Sequence, residues 1–227
     1  MTLDIVPCRS VTDGFVLVHR TLVDTGQRIA AALRRAGDGR DLRGLAEAWQ
    51  LYRAGLAEHH EGETDVVFPL VSQRDPTFAE LESSMAHEHA VIDDLLRAAD
   101  RAVDAAVSDR TAAACRSATA AVEALIGTLD EHLAREELVV LPRVAATIPV
   151  EEMDAIERGL LRRIGATRIA MTVAALERTA RRERLPMPPL PLPARLALPL
   201  WRRRYRRVLA GAGIDEIVDV DLVGGAR

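Results

Sequence analysis

Apolar residues recur every three or four positions along most of this chain. Two long stripes show the pattern: Leu45, Trp49, Tyr52, Leu56, His59, Glu63, Val66 and Leu70, and then Val122, Leu125, Leu129, His132, Glu136 and Val139. Two further stripes pass through His19 and His89. Residues at this spacing share one face of an α-helix, so each stripe predicts the core-facing side of an amphipathic helix. The pattern therefore predicts four helices that carry ionisable side chains on their apolar faces.

Turn signals between the stripes set the bounds of the predicted helices. The helices are expected at about residues 12–36, 41–73, 77–107 and 108–146. Bends or ends are expected near Pro69 and Pro142, because proline removes a helix hydrogen bond. Short connections between long helices make neighbours antiparallel. The predicted fold class is all-α, with an up-down-up-down four-helix bundle over residues 12–146.

The rest of the chain predicts an extension of that bundle. Residues 147–184 are predicted to form one more helix that packs on it. Residues 185–227 are predicted to form a Pro-rich arm, extended over 185–200, then a short basic helix and a final short strand or disordered stretch. This arm and its arginines either bind an acidic lipid, a nucleic acid or a protein partner, or cover the bundle or a second subunit. We favour the covering role, which includes a homodimer formed through the extension.

Composition and charge narrow the class of protein. Hydrophobic residues make up 48% of the chain and charged residues 28%, which suits a globular fold. All 30 basic residues are arginine, which excludes lysine-dependent chemistry and is typical of a GC-rich bacterial genome. The formal net charge of −4 argues against general nucleic-acid binding. We expect neither a signal peptide nor a transmembrane segment, and two distant cysteines favour a reduced, cytoplasmic setting.

The candidate chemistry lies in an internal repeat. His59 and Glu63 are four residues apart, a proline follows ten residues after the histidine, and His132 and Glu136 repeat this spacing. In each copy a lone histidine precedes the pair, by 40 or 43 residues. Positions four apart share one helix face, so the imidazole and the carboxylate reach one inward point. Buried carboxylates need a partner, and a metal ion is a partner that also takes imidazole. The repeat predicts a pair of metal ions held by His19, His59, Glu63, His89, His132 and Glu136.

For two of the predicted ligands, another residue close by in sequence is an alternative candidate. His87 and His89 point about 200° apart on a helix, so at most one faces the site easily, and His89 lies on the apolar stripe. Glu137 competes with Glu136, but alignment of the two copies pairs Glu136 with Glu63. We therefore favour His89 and Glu136 as ligands.

Two further side chains lie near the predicted ligands. His60 lies about 100° around the helix from His59, which places it in an outer layer around the metals or at the surface. Tyr52 lies two turns before His59 on the same face. It either donates a hydrogen atom or carries a radical near the site, or it is a core aromatic residue, and we favour the core.

The motifs together resemble the hemerythrin family, in its HHE cation-binding branch. The resemblance rests on His19 and on the segments HHEGETDVVFP at 59–69, MAHEH at 85–89 and HLAREELVVLP at 132–142. It covers about residues 12–146 and implies a four-helix bundle with a non-haem di-iron centre, bridged by two carboxylates and an oxo or hydroxo group. By this resemblance the four favoured histidines would be terminal ligands, and Glu63 and Glu136 would be the bridges.

The chain departs from the animal hemerythrins, which have five histidine ligands and a His-x-x-x-His pair on the third helix. Here the positions four residues before and after His89 hold Met85 and Asp93. The missing imidazole leaves a place for water, substrate or Asp93, which counts against simple reversible O2 carriage. The expected function is therefore a reaction with small oxidants, either catalase-like peroxide decomposition or nitrogen-oxide redox chemistry. The alternative is a module that binds or senses O2, nitric oxide or iron without turnover, and the sequence leaves open whether the protein is an enzyme.

Overall fold

The computed structural model describes residues 10–39 and 41–214, and within these ranges the chain is built of helices joined by short connections. They are α1 Thr12–Arg35, α2 Arg43–Gly62, α3 Phe68–Arg74, α4 Ala79–Asp109, α5 Ala112–Arg135, α6 Leu141–Thr147, α7 Val150–Arg163, α8 Ala166–Glu183 and α9 Leu192–Gly211. The predicted all-α class is confirmed. The last stretch, predicted as a short strand or disordered, lies outside the described residues.

The helix that carries each His-Glu pair widens at its glutamate. A π-helical turn at Glu63–Val67 joins α2 to α3, and another at Glu136–Val140 joins α5 to α6. In these turns the Phe68 amide donates to the Glu63 carbonyl, and the Leu141 amide donates to the Glu136 carbonyl. Each turn directly precedes the helix whose first turn holds the proline of the repeat. The disruption predicted near each proline thus takes the form of a π-helical turn, a feature frequent at functional sites.

Three apolar clusters form the interior of the described residues, and the helix faces that carry the clustered histidines and glutamates lie between two of them. Helix α1 packs on α2 and α5, while α4 packs on α2 and α5. One cluster is centred on Trp49, Leu56 and Leu129, and the other on Phe68 and Phe78. Along each of the four helices the predicted histidine comes between a member of one cluster and a member of the other. The ionisable groups therefore form one polar layer inside an otherwise apolar core.

The helix predicted over residues 147–184 is instead two helices, α7 and α8. Ile164 and Gly165 between them have extended backbone conformations, so the predicted continuous helix is wrong at this point. Glycine costs about 1 kcal/mol relative to alanine inside a helix, which favours a break there. Helix α8 packs on α1 and α2, two of the four long helices.

The Pro-rich segment becomes helical from Leu192 onward. Helix α9 starts at Leu192 and contains Pro199, so the prediction of an extended chain over 185–200 is wrong for its second half. A proline inside a helix costs about 3 kcal/mol. Burial of Leu198 and Leu209 against α8 and α2 offsets this, at about 1.5–3 kcal/mol for each side chain.

No helix in the described ranges is both long and apolar enough to cross a bilayer.

Candidate metal centre

Seven side chains from four helical segments converge inside the core. Their potential ligand atoms form two groups, and within each group these atoms lie within 4.8 Å of one another. The first, here called the four-ligand group, contains His19, His59, Glu63 and Glu136. The second, the three-imidazole group, contains His60, His89 and His132. All six residues predicted as ligands are therefore brought together, and His60 joins them.

The two carboxylates lie between the groups. Glu63 Oε1 is 3.3 Å from His59 Nε2, and its Oε2 is 3.6 Å from His89 Nε2. Glu136 Oε2 is 3.4 Å from His19 Nε2 and 4.0 Å from His132 Nε2. Two ligands bound to one ion at about 2.1 Å are about 3.0–3.4 Å apart at right-angled to tetrahedral geometry. Most of the observed separations are close to this range, so each carboxylate lies within reach of an imidazole from both groups.

The converging atoms are buried and lack ordinary partners. Among the described residues, ten nitrogen and oxygen atoms of the two groups have no hydrogen-bond partner. They are Nε2 of His19, His59, His89 and His132, both ring nitrogens of His60, and both carboxylate oxygens of Glu63 and Glu136. An unsatisfied buried polar atom costs about 1–3 kcal/mol, so ten of them in one place demand a ligand. Imidazole nitrogens and carboxylate oxygens are a donor set that divalent transition-metal ions accept.

Comparison with family models decides which kind of centre this is. The model of the hemerythrin HHE cation-binding domain matches residues 10–182. This chain belongs to the hemerythrin HHE cation-binding family. The match extends past the predicted bundle at 12–146 and takes in α7 and most of α8. No curated protein and no solved structure matches the chain.

Two acidic residues orient histidines of this HHE centre from outside. Glu137 Oε1 accepts a hydrogen bond from His19 Nδ1 at 3.0 Å, and the Arg20 guanidinium donates to the same carboxylate at 3.1 Å. Glu88 Oε2 accepts from His132 Nδ1 at 2.9 Å, and Arg135 also pairs with Glu88. A proton held on Nδ1 leaves the Nε2 lone pair directed inward, which suits metal ligation.

The third orienting contact comes from a neutral side chain. Thr64 Oγ1 is 3.0 Å from His89 Nδ1. In the alignment of the two copies Thr64 corresponds to Glu137, and the histidines that they hold, His89 and His19, also correspond. Glu137 is thus a hydrogen-bonding neighbour of a ligand rather than a member of either group. Sequence reasoning did not find Glu88 or Thr64, since their roles depend on which helices become neighbours.

Burial sets the charge of every group in the HHE centre. It lowers the pKa of His59 well below the usual value, lowers that of His60 to about 2, and lowers those of His89 and His132 to about 4. The pKa of His19 is also lowered by burial, in spite of its bond to Glu137. The imidazoles are therefore neutral at physiological pH, which is the form that binds metal.

Burial shifts the pKa values of the two carboxyl groups in the opposite direction, upwards. Burial and the proximity of Glu136 raise the pKa of Glu63 well above its usual value. Burial raises the pKa of Glu136 to about 8. Without cations, each carboxylate is disfavoured as an anion in this core. A pair of cations reverses that preference, so the electrostatics of the site and the family's cation binding agree.

His60 is where the structure corrects the sequence prediction most. It was placed in an outer layer or at the surface, but its side chain is buried and its ring stacks on His89, with centroids 4.1 Å apart and planes at 10°. A fifth buried imidazole therefore lies beside the predicted ligands, and it comes from the residue next to His59 rather than from the third helix. The His-His dipeptide was the available signal, because neighbours 100° apart on one helix can face two different ions.

The remaining candidates lie outside both groups. His87 is exposed, in agreement with the choice of His89. Asp93 is half-buried and belongs to neither group. The Tyr52 hydroxyl is buried without a hydrogen-bond partner in the described part of the chain, and burial raises its pKa. Its ring belongs to the Trp49 cluster, which matches the favoured role as a core aromatic residue.

Proposed function

We propose that this HHE protein holds two iron ions, bridged by Glu63, Glu136 and an oxo or hydroxo group, and that it decomposes peroxide. The observation that carries the proposal is the position of both carboxylates between the two groups of imidazoles. The ring of contacts α1–α2–α4–α5–α1 supports an up-down-up-down four-helix bundle as the scaffold. Two iron ions, when bound, supply the paired redox changes that peroxide decomposition requires.

The two ions have unequal sets of protein ligands. If both carboxylates bridge, the ion on the four-ligand side has two imidazoles, His19 and His59. The other ion has three imidazoles, from the three-imidazole group. At equal coordination number, the open position for an exogenous ligand therefore lies on the four-ligand side. A small oxidant is expected to bind there.

Neighbouring side chains and the backbone keep the residues around this position oriented and its imidazoles neutral. The bond from Glu137 fixes the ring of His19, and burial keeps His19 and His59 neutral. The π-helical turns fix the backbone at both bridging residues. Apolar side chains on either side of the layer exclude bulk water, which protects a reactive centre from side reactions.

The metal assignment is tested with a double variant and a matched control. Glu63→Ala with Glu136→Ala is expected to lose at least one iron, measured by elemental analysis, and to lose O2 evolution from hydrogen peroxide. The control replaces Glu61 and Glu131, two exposed glutamates on the same helices, by alanine and is expected to keep both irons. Full iron content in the first variant would reject the assignment of the bridges.

Reversible binding of O2 or nitric oxide is the second candidate function, and one observation favours it. His60 restores a fifth imidazole, which removes the reason for excluding O2 carriage. The anaerobically reduced, iron-loaded protein separates the two functions. A visible spectrum that changes with O2 and reverts under argon, without O2 evolution from peroxide, would replace the peroxide proposal by a binding or sensing module. Consumption of nitric oxide with turnover would favour nitrogen-oxide chemistry.

A further inference from the structure

An apolar cavity of about 240 Å³ lies beside the metal centre. Helices α1, α2, α7 and α8 and the segment 187–190 supply its walls. Most of its lining is aliphatic or aromatic, including Phe15, Ile156, Leu160, Val173, Leu176 and Leu190. The cavity therefore depends on the helices that follow the four long ones.

The cavity reaches only one side of the centre. His59 and Glu63 line it, whereas none of the three-imidazole group does. These two lining residues belong to the four-ligand group, where the proposed open position lies. A molecule in the cavity is thus placed to direct one end at that position.

The volume and the walls indicate what such a molecule is. Hydrogen peroxide and O2 are close to water in size, and a volume of about 240 Å³ corresponds to roughly eight waters at ~30 Å³ each. An apolar protein cavity of ~150 Å³ binds benzene, so this one suits a substituted benzene or a branched alkyl group. Small-molecule sites combine apolar walls with a few polar groups that fix orientation.

Besides Glu63, the acidic side chains in the lining are Glu58 and Glu157, and Glu58 is paired with Arg168 at 2.8 Å. Glu157 lines the cavity, and burial, with Asp154 nearby, raises its pKa to about 7 in spite of Arg158. Near neutral pH part of the population carries a neutral carboxyl, which donates a hydrogen bond to an oxygen rather than requiring a cation. The mostly apolar walls, together with the few polar groups among them, therefore favour an uncharged oxygen-bearing molecule with an apolar body.

We propose that this cavity binds the organic part of an alkyl or aryl hydroperoxide, with its hydroperoxide group towards His59 and Glu63. The inference rests on the proposed peroxide function and names its substrate class. The net reaction is 2 ROOH → 2 ROH + O2 and needs no further reductant. Both O–O bonds break, the two terminal oxygens are oxidised, lose their protons and join as O2, and the two oxygens bound to carbon are reduced and receive those two protons.

Binding is measured apart from turnover. Calorimetry on the full-length, iron-loaded protein uses 2-phenylpropan-2-ol, the alcohol product of cumene hydroperoxide, and the smaller tert-butanol. Affinity is expected to rise at least tenfold from the smaller alcohol to the larger, because more apolar surface is buried. Leu176→Trp and Leu160→Trp, which fill the cavity from α8 and α7, are each expected to weaken binding of the larger alcohol at least tenfold. Leu196→Trp, on the exposed face of α9, is the matched control and is expected to bind like the wild type.

The outcomes distinguish failure of the cavity proposal from failure of the proposed peroxide function. Either filling variant is sufficient if its iron content and circular dichroism match the wild type, and the wild-type alcohol series tests the proposal even if neither folds. Turnover of hydrogen peroxide without binding of either alcohol would overturn the cavity proposal and leave the proposed function in place. Unweakened binding in a folded filling variant would also overturn it. Binding of the alcohol without turnover of any peroxide would reject the proposed function, and the hydroperoxide with it.

Discussion

Removal of the metal is expected to leave a protein whose stability is greatest around pH 6.5–7 and falls on both sides of that range. Burial lowers the pKa of five imidazoles in the folded chain, those of His19, His59, His60, His89 and His132, while an unfolded histidine has a pKa near 6.5. Below that pH the unfolded state binds more protons, so the free energy of unfolding falls as pH falls. Glu63 and Glu136 act in the opposite sense, because their raised pKa values make the folded state bind more protons above about pH 4.5.

The magnitudes decide which effect dominates. One proton of difference changes the free energy of unfolding by about 1.4 kcal/mol per pH unit, so the five imidazoles contribute at most roughly 7 kcal/mol per unit and the two carboxylates at most roughly 3. The net loss below about pH 5.5 is therefore roughly 4 kcal/mol per unit, against a typical total of about 5–15 kcal/mol. Above about pH 7 the unfolded histidines are already neutral, and the carboxylates alone lower stability by up to about 3 kcal/mol per unit. This alkaline decline ends once the folded carboxyls titrate, at about pH 8 for Glu136.

The assay is urea unfolding of chelator-treated protein, followed by circular dichroism from pH 4.5 to 8.5. A maximum near pH 6.5–7 is expected, with a steep acid side and a shallower alkaline side. Reloading with iron is expected to abolish the alkaline decline, because bound carboxylates stay ionised. His87→Ala, at an exposed histidine, is expected to leave the acid side unchanged. A metal-free protein whose stability is constant between pH 5 and 6.5, or rises from pH 7 to 8, would refute this account of the buried groups.

The contacts outside the proposed bridges lead to three shorter predictions. His60→Ala is expected to lower the iron content from about two towards about one per chain, whereas His87→Ala keeps it; equal content in both by elemental analysis would exclude His60 as a ligand. Glu137→Gln is expected to weaken iron binding by about 10–100-fold in chelator competition, since it loses the charged partner of His19, and unchanged affinity would make that bond incidental. Leu196→Glu, on the exposed stripe of α9, is expected to halve the mass in light scattering if the extension forms a homodimer; an unchanged mass contradicts the dimer, and loss of binding to anionic vesicles would assign the face to a membrane surface.

The helix faces that carry the buried histidines and glutamates could be predicted because an ionisable residue on an apolar stripe is a strong local signal. Glu63 and Glu136 follow their histidines by one turn, and both are buried as that position requires. Helix bounds could also be predicted from the sequence, because Gly37 and Pro76 interrupt the periodic pattern close to where α1 ends and α4 begins. These features depend on residues close in sequence, which is why one chain without relatives was sufficient.

The features that sequence reasoning missed depend on tertiary neighbours. Glu88 lies 44 residues from His132 along the chain, and only the packing of α4 on α5 brings them to 2.9 Å. Pro199 was expected to prevent a helix, but the local penalty is outweighed by burial against α8 and α2. Burial and pairing between distant segments are set by the whole fold, so no local pattern could have indicated them.

The internal repeat is symmetric except at one position that matters for chemistry. Three pairs of ligands correspond between the copies: His19 with His89, His59 with His132, and Glu63 with Glu136. By themselves they would give two equivalent ions with two imidazoles each.

The residue after His59 is His60, whereas the residue after His132 is Leu133, which is buried and apolar. In the proposed centre this one difference would add an imidazole to one ion only, and the apolar cavity is lined by residues of the other group. The smaller number of imidazoles and the access from the cavity therefore both favour binding of a small molecule on the side of the four-ligand group. The two features arise from different parts of the chain. That agreement is the strongest reason to expect a reaction or binding event directed at one ion rather than a symmetric store of two.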